Sequence, residues 1–300
     1  MSGQGQRVVA IGGGHGLAVT LRAVAPWAGT VTAVVSTADD GGSTGRLRES
    51  WDVPALGDAR RCLSALADPD DVWTRVLERR FDVGELAGHA VGNLVLLALV
   101  EELGDLQSAC DEVARAYRIE ARRARVVPVT DDAVVLHART TSGEVVVGQV
   151  AVAETPDLAE VWVAPAGTAA SPIAIEAIRQ ADLVLLGPGS LYTSVLAATV
   201  VGDIRNALAD TSARIAYIAN LRADGAETRG YDLAAHVDAL LRHGVVPGVV
   251  LAHPGAVTAG KVDVAVVEAE VAGPNGLVHD PARLGLAIRA LLPEGALSRR

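Results

Sequence analysis

The chain has 300 residues, half of them hydrophobic and only 3% aromatic, with a formal net charge of −10. That length and apolar content suit one large α/β unit with a substantial core, and an Ala, Val, Leu and Gly-rich composition is what parallel sheets covered by small-residue helices use. The acidic balance disfavours a nonspecific grip on nucleic acid or an anionic membrane, so any phosphate binding has to be local.

The first residues, "MSGQGQR", lack the basic segment and apolar stretch of a signal peptide, and the longest apolar run, "LVLLALV" at 94–100, is far short of the roughly 20 residues of a membrane span. Cys62 and Cys110 stand outside any CxxC or CxxH spacing. A reduced, cytoplasmic setting is therefore expected. Lys261 is the only lysine, which leaves almost no candidate for a P-loop or Schiff-base mechanism.

In chain order, strands are expected at "RVVAIG" (7–12), "TVTAVVSTA" (30–38), "DLVLLG" (182–187), "ARIAYIAN" (213–220) and "VVPGVVLAH" (245–253). Most are continuous apolar runs, the pattern of strands buried on both faces. Helical patterns separate them at 17–25, 57–67, 173–181, 231–243 and 281–292. Consecutive helices between about 70 and 118 read as an insertion, and 133–153 reads as a β-hairpin around "TTSGE". No linker or repeat divides the chain. The expectation is one domain over 1–300, a Rossmann-like, doubly wound, mostly parallel sheet with a helical insertion and a hairpin.

Three glycine-rich segments end strands at what would be the carboxyl edge of such a sheet, where ligands bind. The first, "GGGHGL", is not a dinucleotide fingerprint, because the third glycine position is Leu17, and it is no Walker loop, because no Lys follows. It suits either tight packing or a phosphate over a helix N-terminus. The second, "ADDGGSTGRLR", joins Asp39 and Asp40 to Gly41, Gly42, Ser43, Thr44, Arg46 and Arg48: carboxylates for a cation or ribose, hydroxyls and guanidiniums for phosphate oxygens. The third, "GPGSLYTSV", offers Ser190 and Thr193 to a second phosphate or a sugar. Asp58 reads as a helix cap or a ligand, and His89 and Asn93 share a helical face as structural partners or ligands. Dispersed histidines and the absence of a G-x-S-x-G elbow give neither a zinc site nor a triad.

Taken together, "GGGHGL", "ADDGGSTGRLR", "GDARRCLSALAD", "GHAVGNLVL", "GPGSLYTSV" and "AETRGYDLAAHV" resemble the YvcK-type gluconeogenesis factors, a family related to the CofD 2-phospho-L-lactate transferases. The resemblance runs from about residue 8 to 245. It implies a cytoplasmic Rossmann-like protein that binds UDP-sugars, notably UDP-N-acetylglucosamine, supports cell shape and growth on gluconeogenic carbon, requires no cofactor and carries no established reaction. The CofD branch implies instead a Mg²⁺-dependent transferase that moves a phospholactyl group from a guanosine diphosphate-linked donor, with Asp40 as the metal-side acid.

Carried onto this chain, the ligand set implied is Gly12, Gly13, Gly14, His15, Gly16, Leu17, Asp39, Asp40, Gly41, Gly42, Ser43, Arg46, Arg48, Asp58, Arg60, Asn93, Gly187, Gly189, Ser190 and Asn220. Three departures stand out: His15 where the family has Thr, Arg61 where it has Asn, and an altered segment over 221–226. The partner implied is a nucleotide sugar or nucleoside diphosphate, with no nucleic acid and no membrane insertion; self-association and a regulatory protein partner are left open.

Overall fold

The computed structural model describes residues 5–222, 225–258 and 260–292. The chain begins with β1 (Arg7–Gly12), α1 (Gly14–Val24) and β2 (Thr30–Val35), followed by a long crossover of five helices: α2 (Gly42–Arg48), α3 (Gly57–Leu66), α4 (Val72–Glu78), α5 (Val91–Leu103) and α6 (Leu106–Ala116). After β3 (Ala124–Pro128) come β4 (Val135–Thr140), β5 (Val145–Val147), α7 (Gln149–Ala153), β6 (Leu158–Ala164) and α8 (Pro172–Gln180). The second half holds β7 (Leu183–Leu186), a π-helical turn (Leu191–Leu196) running into α9 (Ala197–Thr199), α10 (Gly202–Asp210) and β8 (Arg214–Ile218). It closes with α11 (Leu233–Arg242), β9 (Val249–Ala252), β10 (Ala265–Glu268) and α12 (Pro281–Ala290).

Seven strands form one sheet in the order β10-β9-β8-β7-β1-β2-β3. All six pairings are parallel. Strand β1 shows why its run is apolar throughout. Val8 and Ala10 enter a layer with Leu17 and Leu21 of α1, Leu63 of α3, Cys110 of α6 and Leu284 of α12. Val9 and Ile11 enter the opposite layer with Ile178 of α8, Ile204 of α10 and Leu240 of α11. Helices cover both faces, so alternation would bury polar groups. Both cysteines are free and buried.

The segment expected as a two-stranded hairpin over 133–153 differs. β5 stops at Val147, Gly148 takes a positive φ of 99°, and 149–153 turn into α7. The partner on the other side of β4 is β6, giving an antiparallel sheet in the order β5-β4-β6. An apolar run such as "VVVGQVAVA" fits strand or buried helix equally by periodicity, and the glycine decides the break.

The order of the large sheet reverses at β1, which lies between β2 and β7. Chain leaves β1 and β7 toward opposite faces, and the crevice between their carboxyl ends is where this topology binds ligands.

Candidate functional site

The loops after β1 and β7 meet at this crevice. A side chain at Gly16 would place its Cβ on the carbonyl of Pro188, well inside van der Waals contact, so only glycine permits the approach. Thr20, one turn further along α1, donates to the Gly187 carbonyl at 3.0 Å and holds the loops together from beneath. The Asn220 amide at the end of β8 completes the clamp: it accepts from Gly189 N at 3.0 Å and donates to Gly189 O at 2.9 Å. Above the junction lies a cavity of about 250 Å³ lined by His15, Gly16, Gly189, Ser190, Asn220 and Leu221, with Leu277, Val278 and His279 as an opposite wall.

Helix α1 points its N-terminus at the junction. Gly13 is the N-cap, with no side chain to cap the helix and no acidic residue in the first turn. By contrast α4, α6, α11 and α12 each begin on an aspartate whose carboxylate accepts a first-turn N–H. The N-terminus of α1 has no cap from the side chain of its own N-cap residue, as is true of α2, α3, α5, α7, α8 and α10, and it is the one beside the crevice cavity, which His15 and Gly16 line.

Beside Gly13 stands an acidic pair. Asp58 Oδ2 sits where a Gly13 side chain would go, and Asp58 Oδ1 accepts from Arg61 at 2.5 Å. Asp39 faces the same group from the loop after β2: its Oδ1 accepts from Gly41 N at 3.1 Å, and a Cβ on Gly57 would lie 3.3 Å from its Oδ2 and 2.7 Å from Thr44 Oγ1. Burial first, and then the negative charge of Asp58, push the Asp39 carboxyl upward, opposed by Gly41 N–H, Arg61 and Thr44. His15, exposed at the start of α1, is held below the usual imidazole value by partial burial and then by Arg61, with Asp58 opposing.

A second group of the expected residues is already occupied. His89 Nδ1 lies 3.1 Å from Ser43 Oγ, which accepts from Asn93 Nδ2 at 3.1 Å; Asn93 Oδ1 accepts from Arg60 Nε at 3.0 Å, and Arg60 pairs with Glu78. Ser43, Arg60 and Asn93 are buried, and both ends of the Asn93 amide are used. Asn93, read from sequence as a structural partner or a ligand, ties α2 to α3. Arg46 and Arg48, expected to neutralise phosphate charge, donate to carbonyls: Arg46 to Ala87 at 2.9 Å, Arg48 to Asp39 at 3.2 Å and Val134 at 2.6 Å. Asp40 accepts from Gln149 N and Val150 N, both at 2.9 Å, so both its oxygens are committed to the start of α7.

In the third loop, Gly189 and Ser190 reach the cavity while Thr193 does not. Thr193 Oγ1 donates to Glu227 at 2.9 Å, and the same carboxylate accepts N–H groups of 191–193, so it caps the π-helical turn. Burial pushes the Glu227 carboxyl up against these hydrogen bonds. Gly12 and Leu17 are buried and Gly14 is half-buried, while Gly41 and Gly42 line a different cavity, of about 770 Å³, together with Asp40, Arg46 and Arg48. Glu227 stood in a quoted motif without a role; the 277–279 wall carried no motif that could have pointed to it.

Comparison with known proteins completes the description. The family model for 2-phospho-L-lactate transferase CofD matches residues 8–281. The chain belongs to the CofD family. Within it, a gluconeogenesis factor from Bacillus subtilis is 38% identical over 243 residues, covering 80% of this chain and 76% of that one. One from Halalkalibacterium halodurans is 36% identical over 240 residues, covering 79% and 74%. A relative from Nostoc is 39% identical over 239 residues, and the match spans only 52% of its length. A crystal structure of a UPF0052-family protein from Bacillus halodurans superposes with a TM-score of 0.89 at 30% identity, covering 95% of this chain and 99% of that one. The fold is thus shared with the UPF0052-family protein over nearly the whole chain, and the matches to the two gluconeogenesis factors cover about four fifths of it. Among the described residues no group of three or more His, Cys, Asp or Glu side chains is placed to hold a metal, and no helix is long and apolar enough to cross a membrane.

Proposed function

We propose that the protein binds a nucleoside-diphosphate sugar of the UDP-N-acetylglucosamine type across the β1/β7 crevice and acts in the cytoplasm as a regulatory protein of central carbon metabolism and cell shape. The observation that carries this reading is the N-terminus of α1, capped by Gly13 alone and aimed at the crevice, beside a cavity of about 250 Å³. A diphosphate over Gly13, Gly14 and Gly16 would take the place that aspartate caps hold elsewhere. The cavity walls would then receive the sugar or the base. The relatives named as gluconeogenesis factors support the regulatory side.

A second reading rests on the Asp39 and Asp58 pair. Asp39, whose ionisation is opposed by burial and by the neighbouring Asp58 charge, forms with Asp58 a pair of hard oxygen donors beside the N-terminus of α1, a set suited to Mg²⁺. Such an ion would neutralise charge developing on a nucleoside diphosphate leaving group, as a transferase of the CofD type requires. The metal side would then fall to Asp39 and Asp58, with Asp40 holding α7.

Calorimetric titration with UDP-N-acetylglucosamine and with GDP, each with and without Mg²⁺, separates the readings when product analysis is run on the same samples. Uridine-selective binding without turnover supports the sensor. Binding confined to GDP with Mg²⁺ would overturn it in favour of the transferase.

A further inference from the structure

The cavity wall formed by 277–279 lies far from every glycine motif in sequence, yet faces the loops after β1, β7 and β8. A backbone hairpin delivers it: Gly273 N donates to Val278 O at 2.8 Å, and Ala272 bridges His279. Leu277 and Val278 are half or more exposed, at 50% and 58%. His279 beside them is only 8% exposed. Its ring hydrogen-bonds the Ala219 carbonyl, while Nε2 is buried without any partner. With Nδ1 as the donor to Ala219, the neutral ring leaves Nε2 as a bare acceptor. Burial, reinforced by His253, holds this histidine down to about 4, so the ring is neutral at physiological pH. An unpaired buried acceptor is uncommon in a folded chain, and on a cavity wall its natural partner is a donor brought by a ligand.

Resting on the nucleotide reading of this cavity, we propose that the 277–279 segment is the base-selecting wall: Leu221, Leu277 and Val278 cover the flat faces of a nucleobase, and His279 Nε2 accepts its ring N–H. Uracil at N3 and guanine at N1 carry such a proton, whereas cytosine at N3 and adenine at N1 present an acceptor that would face the lone pair of Nε2. The wall therefore favours imide-type bases by repelling the others as well as by binding the right one. Nε2 is sealed from solvent, so contact requires a side-chain movement in the wall, and Leu277 and Val278 have solvent to move into.

The test is calorimetry of wild type and His279→Leu with UDP and CDP, together with ¹⁵N spectra of the histidine rings in the wild type. Wild type should prefer UDP by roughly tenfold or more, and His279→Leu should cut that ratio to about threefold or less, mainly through weaker UDP binding. In the wild type the His279 Nε2 resonance should move toward the hydrogen-bonded position with UDP and stay put with CDP; this arm stands even if the variant folds poorly. A UDP to CDP ratio unchanged in a folded variant, or an Nε2 resonance indifferent to UDP, overturns the wall and leaves the nucleotide site standing. Failure of the wild type to bind either nucleotide overturns the site reading and the wall with it.

Discussion

The loops after β1 and β7 are both glycine-rich turns from strand to helix, and they satisfy their helix ends in opposite ways. Helix α1 begins on Gly13 with no side-chain cap, facing the crevice. The turn at Leu191–Leu196 begins inside the protein, with Leu191 and Tyr192 fully buried, and Glu227 supplies the acceptor from within. Orphan N–H groups have to be paired wherever they lie: in the core only the chain can do it, while at a crevice a ligand can. What distinguishes the two turns is the use of the nearby acid: Glu227 accepts the N–H groups of 191–193, whereas Asp58, beside Gly13, accepts from Arg61 and does not cap α1.

The comparison breaks hardest at Glu227. Glu227→Leu leaves Thr193 Oγ1 and the backbone donors of 191–193 buried without an acceptor, and should cost about 3 kcal/mol or more in urea unfolding. Glu227→Gln keeps an acceptor and should cost less.

Acid sharpens the comparison from the other wall of the crevice. His279, His236 and His243 are all held below 6.5 by burial. A depressed folded value means that the unfolded chain takes up protons first, so stability is full above the unfolded value near 6.5 and falls as pH drops toward the folded one. For His279, from 6.5 to about 4, the loss is roughly 3 kcal/mol at its limit. Thermal unfolding from pH 7 to 4 should show a falling midpoint, and His279→Leu should flatten part of that limb.

The smallest effect belongs to the clamp. Asn220→Ala removes the two hydrogen bonds to Gly189 and should cost about 1–2 kcal/mol while loosening the loop after β7. Denaturant melts of the variant would show it, and hydrogen exchange at Gly189 should rise before that of β7 itself.

Much of the sheet was legible because β1, β7, β8 and β9 are buried on both faces and read as unbroken apolar runs. The strands that escaped notice lack that signature. β10 is an exposed four-residue edge, β6 alternates with a half-buried face, and β3 is a short run ending in Pro128. At the site, residue types were legible and their partners were not. Ser43, Arg60 and Asn93 look like ligands in sequence, and only folding α2, α3 and α5 together shows that they bind one another. His279 could not be found from spacing, because 277–279 reach the crevice through the hairpin of 272–279.

The central claim is that an anion binds the open end of α1, and Gly14→Asp tests it most directly. A Cβ at Gly14 meets nothing within 4 Å, and the positive φ of 65° costs an aspartate only about 1–2 kcal/mol, so the variant should fold with its carboxylate where the phosphate would lie. Calorimetry with UDP should then show affinity reduced at least tenfold relative to wild type, against unfolding midpoints that move only slightly. Equal affinity in the two proteins would place the diphosphate elsewhere and contradict the account.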